Sequence, residues 1–136
     1  AFQSRKLGIV FRELPVPVIT LDRVLERANL PEIDFMSIDV EGFERHVIES
    51  VNLSRYRPSV LCVEATEPRT DRPSYQDWEG LLAQNGYVFA MFDGLNRYYV
   101  SKDLVSSLLP RFIFIDMCVN KSKFARHVKL NGYDRW

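Results

Sequence analysis

Asp39 and Glu41 stand two residues apart in the stretch DFMSIDVEGFERHV, residues 34–47, directly after an apolar run and directly before a glycine. Glu64 closes a second apolar run, VLCVE at residues 60–64. Carboxylates in such places can accept a proton, hold a divalent cation or take hydrogen bonds from hydroxyl groups. Brought together, they raise one another's proton affinity unless a cation or a proton intervenes. In open α/β sheets ligands bind outside the carboxyl ends of the strands, which is where all three acids would fall. Gly42 lets the backbone turn sharply and come close to a ligand. A plainer alternative stays open: Asp39, Glu41 and Glu44 equally suit the positive end of a helix beginning near Gly42.

The elements that would position these acids follow from the pattern around them. PVPVIT at residues 15–20 is extended, because proline disfavours helix in the residue before it. Thr20 then caps a helix with Leu21, Val24, Leu25 and Ala28 on one face, closed by Asn29, Leu30 and Pro31. Residues 33–39 are mostly apolar, which predicts a strand covered on both faces. Phe43, Val47, Ile48 and Val51 form a second helical stripe, and SVLCVEA at residues 59–65 is a second buried strand. Ser74 is a candidate cap for a third helix carrying Tyr75, Trp78, Leu81 and Leu82, ended by Asn85-Gly86. YVFAMF and RYYVS flank Asp93-Gly94-Leu95-Asn96, a hairpin turn. A short helix over 102–109, a strand-like RFIFID and a polar helical tail complete the chain. LGIVF, near the start, is a strand or a lead-in. Strand and helix alternate and the hairpin comes late, so the expected fold is α/β, a parallel sheet flanked by helices with an antiparallel strand at one side.

Composition narrows the function classes. With 136 residues the chain is one ordinary domain or part of one, and 46% hydrophobic content suits a globular core. Eighteen basic and eighteen acidic side chains cancel, so no global field draws it to nucleic acid or an anionic membrane. Lys121, Lys123, Arg126, Lys129 and Arg135 make the end locally basic, read as a solvated helix face. No apolar run is long enough to span a bilayer, and nothing near Ala1 resembles a signal peptide. Cys62 and Cys118 sit in apolar runs, as free thiols of a reducing, cytoplasmic compartment would. Neither has metal-ligand spacing. His46, on an amphipathic helix, and His127, in the basic tail, are read as packed or exposed side chains. Phe112 and Phe114, on alternate positions of the RFIFID strand, are read as core. Of Tyr98 and Tyr99, one should face the core and the other the edge of the site.

TLDRVL, IDFMSIDVEGFE, RPSVLCVEA and NGYVFAMFDGLNRYYV follow one another at natural distances, and together they resemble the FkbM family of S-adenosylmethionine-dependent methyltransferases. The resemblance covers residues 15–100 and leaves the tail, 101–136, unassigned. It implies the C-terminal part of a Rossmann-like methyltransferase sheet, with DFMSID as the fourth strand, VLCVE as the fifth and the hairpin as the last two. It implies transfer of a methyl group to a hydroxyl of a small molecule or glycan. Asp39 would lie beside the methyl group as catalytic and cofactor-binding residue, with Glu41 in support. Glu64, Asp93 and Asn96 would face the substrate, and no metal would be held.

Two departures bear on that expectation. Family members carry lysine just before IDVEG, where this chain has Ser37. The glycine-rich turn that cradles the cofactor has no counterpart, only Gly8 preceding IDVEG, so this chain is expected to bind S-adenosylmethionine poorly or not at all and to be inactive alone. The chain starts without methionine, as a piece of a longer protein would. Two other classes compete: a metal-dependent glycosyltransferase using Asp39-x-Glu41, and a folded module without catalysis. With three strands fewer, DFMSID becomes a sheet edge, a hazard that predicts cover by a second copy in a homo-oligomer, by residues 1–14 or by the tail.

Overall fold

The computed structural model describes residues 14–119, within which the chain builds a four-stranded mixed sheet with helices against both faces. The elements run α1 (Leu21–Ala28), β1 (Phe35–Ile38), α2 (Glu44–Glu49), α3 (Leu53–Tyr56), β2 (Val60–Glu64), α4 (Glu79–Gln84), β3 (Tyr87–Phe92), β4 (Asn96–Ser101) and α5 (Val105–Val119). Thr20 caps α1 by accepting the Arg23 N–H, and Asn29 closes it in the left-handed region at φ 46°. The sheet order is β1-β2-β4-β3. β1 and β2 are parallel, whereas β4 runs antiparallel to both β2 and β3.

Alternation along the strands divides the sheet into two unlike faces. Ile38, Leu61, Val63, Ala65, Tyr87 and Tyr99 point into the main core, where Ile48 of α2, Leu53 of α3 and Leu82 of α4 meet them around Trp78. Trp78 and Tyr99 pack edge to face at 5.9 Å. The opposite face carries Ser37, Cys62, Tyr98 and Met91, which the register places side by side across four strands. A bulge at Ala90 lets Phe89 oppose Tyr99 on one face and Met91 oppose Tyr98 on the other. The second face is covered at the hairpin by α5, whose Phe112 lies 5.8 Å from Tyr98.

Four expectations change. RFIFID is not a strand: residues 111–116 lie inside α5, which runs through Pro110. The apolar run carries no polar alternation to distinguish strand from buried helix. Phe112 and Phe114 therefore share a helix, not alternate positions of a strand. β1 is not covered on both faces, since Phe35 is 55% exposed and Ser37 is exposed as well. The second helical stripe is broken into α2 and α3, with Asn52 capping α3 by accepting the N–H groups of Ser54 and Arg55. Ser74 opens a 3₁₀ turn, Tyr75–Asp77, without capping it, and α4 begins only afterwards. LGIVF, His127 and the basic tail lie outside the described residues.

Candidate functional site

The site begins where β1 and β2 end. Ile38 pairs with Val63, so Asp39 and Glu64 are the next neighbours across two parallel strands that lie ~4.8 Å apart. Both fall on the face that carries Ser37 and Cys62. Asp39 is exposed, whereas Glu64 is only 7% exposed and its Oε2 meets no hydrogen-bond donor. Burial raises the proton affinity of Glu64 above the usual glutamate range. The charges of Asp39, Glu44 and Glu41 add to that rise, and the Asp39 carboxyl lies within hydrogen-bonding reach.

Past Asp39 the chain reverses in a tight turn closed by the Phe43 N–H to the Val40 carbonyl at 3.4 Å. Its two central residues, Glu41 and Gly42, have φ of 53° and 97°. Glycine adopts that conformation freely, but glutamate does so at a cost of about 1 kcal/mol. Glu44, at the start of α2 and 2% exposed, holds the turn. Its Oε1 accepts the N–H groups of Val40 and Gly42, each at 3.1 Å. Sequence reasoning saw Glu44 only as a helix-end charge; the missed signal is an acid at the first helical position, from which it can reach back over the turn.

Of the acids singled out beforehand, the structure brings Asp39 and Glu64 together and sets Glu41 exposed on the crest of the turn. Asp93 and Asn96 are occupied with their own hairpin. Asp93 Oδ1 accepts the N–H groups of Leu95 (2.9 Å) and Asn96 (2.7 Å). Its Oδ2 accepts Asn96 Nδ2 at 3.3 Å and the Tyr98 hydroxyl at 2.9 Å. Burial pushes Asp93 upward, yet these bonds outweigh it and hold the carboxyl below its usual range. Cys62 is a buried free thiol. Burial raises its proton affinity, partly offset by hydrogen bonds with Tyr98 and Ser37, so it is held as a thiol rather than a nucleophile. Tyr98 thus faces the second sheet face next to the site and Tyr99 the core, as the alternation implied. His46 is exposed, with its ring 5.6 Å from Phe43.

Two hollows flank the turn. One, of about 480 Å³, is lined by Val18, Ile19, Val40, Phe43 and His46 and is mainly apolar. The other, of about 210 Å³, lies between Gly42, Glu44, Pro68, Ser74 and Trp78. Two of its lining residues, Ser74 and Trp78, carry buried polar atoms without hydrogen-bond partners, Ser74 Oγ and Trp78 Nε1. Among the described residues no three acids, histidines or cysteines gather as a metal-holding group. Among those residues, too, no helix is long and apolar enough to cross a membrane.

The family profile described as the methyltransferase FkbM domain matches residues 1–89. The matched span thus includes Asp39, the turn and Glu64, and ends inside β3. No curated protein and no solved structure matches the chain.

Proposed function

The chain belongs to the FkbM methyltransferase domain family, and on that premise we propose that it serves O-methyl transfer to a hydroxyl of a small molecule or glycan, with Asp39 as the base. The observation that carries this is the Asp39–Glu64 pair at the carboxyl ends of two parallel strands, under a turn whose strained backbone Glu44 fixes. We read β1, β2 and the β3–β4 hairpin as the C-terminal portion of a Rossmann-like methyltransferase sheet.

S-adenosylmethionine supplies the methyl group when bound. The residues present suit its charge: a sulfonium cation is favoured beside the exposed carboxyl groups of Asp39 and Glu41. Asp39, exposed at the rim, orients the acceptor hydroxyl and takes its proton as the oxygen forms its bond to the methyl carbon. A bound S-adenosylmethionine would keep the electrons of its carbon–sulfur bond on sulfur as it gives up the methyl group. Glu41, on the crest, adds negative potential and can meet the acceptor. Metal-dependent glycosyl transfer through Asp39 and Glu41 has no support from the family or from the acid geometry.

Transfer of labelled methyl from S-adenosylmethionine to a panel of hydroxyl acceptors, measured on the complete enzyme, tests the proposal, with Asp39→Asn as the variant. Turnover should fall ~10²–10⁴-fold, the usual worth of a positioned base, at unaltered cofactor affinity. Full turnover by Asp39→Asn would remove Asp39 from the chemistry.

A further inference from the structure

We propose that Glu64 stands in this protein as a carboxylic acid whose O–H donates a hydrogen bond to Asp39, making it the positioning residue that aims the Asp39 carboxylate at the cleft. The inference rests on the methyltransferase reading for its catalytic half only. Its geometric half comes from the strands. Parallel pairing of Ile38 with Val63 puts the two carboxyl side chains next to each other on one face. Glu64 is more than nine-tenths buried, and its Oε2 has no donor. An ionised carboxylate with a bare buried oxygen is too costly to persist, and a proton is the least demanding way to neutralise it.

The charged side chains that act most strongly on Glu64 are acids. From β1 it faces Ser37 and Asp39, and from the turn Glu41 and Glu44. On its own strand Cys62 lies on the same face, hydrogen-bonded to Ser37 and Tyr98. From β4 it faces Asn96, whose amide donates to Asp93. The cation on β4, Arg97, points to the opposite face. There it donates to Glu79 Oε1 at 2.8 Å and to the Tyr99 hydroxyl at 2.9 Å. The rise in proton affinity of Glu64, with burial as its first cause and Asp39 as its second, agrees with the geometry. With one oxygen of Asp39 engaged by that proton, the other is left to receive the proton of the acceptor hydroxyl. Glu64 keeps its own proton throughout.

Two variants of the full chain decide the matter. Glu64→Gln keeps a donor but cannot ionise; Glu64→Leu keeps bulk without a donor. In denaturant unfolding, wild-type stability should fall as pH rises above the ordinary glutamate range, and Glu64→Gln should abolish that fall. Equal pH slopes in wild type and Glu64→Gln would overturn the proposal, whether or not Glu64→Leu folds. In the methyl-transfer assay, Glu64→Gln should hold kcat within a few-fold of wild type, while Glu64→Leu loses tenfold or more at unchanged KM for the cofactor. Equal losses in the two variants would refute the positioning role. If wild type itself transfers no methyl group, the methyltransferase reading has failed, and the unfolding series still decides whether Glu64 holds its proton.

Discussion

Glu44 shows how one buried side chain sets the geometry of a neighbouring site. Its carboxylate accepts two backbone N–H groups of the turn that carries Glu41 through φ 53°. Glu44→Ala would leave both donors unpaired. About 1–3 kcal/mol of stability should be lost, read from urea unfolding. A change within 0.5 kcal/mol would mean that the turn holds its shape by itself. At Gly42 a Cβ would meet Pro68 only at ordinary contact distance, 3.6 Å. The cost of Gly42→Ala is therefore conformational, about 1–2 kcal/mol at φ 97°. Asp93 gives the opposite pH sign to Glu64. Its folded-state proton affinity is lowered, so its contribution is full above the usual aspartate range and is lost as pH falls through the folded value. Tyr98→Phe removes one of the bonds that hold it down, and should move that acid-side loss to higher pH.

Elements were legible in the sequence where local chemistry dictates them. Thr20 before Leu21, Asn29 after Ala28, and Asp93-Gly94 between two strands each specify a cap or a turn with few alternatives. The carboxyl ends of β1 and β2 were legible for the same reason, since buried runs that stop at an acid mark a strand end. RFIFID was not, because an apolar run after proline fits strand and helix alike until its packing partner, the Tyr98 face, is known. The role of Arg97 was equally invisible, since it depends on residues distant in sequence. Its guanidinium lies 3.8 Å from the Tyr75 ring centroid and 4.0 Å from that of Phe89, and pairs with Glu79. This cluster ties β4 to the segment leading into α4. Arg97→Ala should cost about 1–3 kcal/mol in thermal or urea unfolding, since it removes a part-buried ion pair together with its ring contacts. Arg97→Lys should recover only part of that, because an ammonium cannot stack and fork at once.

At the scale of the molecule, the sheet ends at β1, which has no partner on its outer side among the described residues. Phe35, on that strand, is 55% exposed. An apolar edge strand recruits further strands, so self-association through β1 is expected to rise with concentration in sedimentation experiments. Phe35→Lys should shift the protein toward monomer, because an edge lysine blocks such pairing. A wild-type chain that stays monomeric at all concentrations, with fast-exchanging β1 amides, would rule out strand-to-strand association. The same edge lies beside Asp39, so cover over β1 and access to the site belong to one problem.

The carboxyl pair at the ends of β1 and β2 is best tested by following the side-chain carboxyl carbons of Asp39 and Glu64 by ¹³C NMR through a pH titration. Glu64 should titrate above the ordinary glutamate range, and Asp39→Asn should bring its midpoint down. A Glu64 that titrates as a free glutamate and ignores Asp39→Asn would contradict the shared proton, and with it the site built upon that pair.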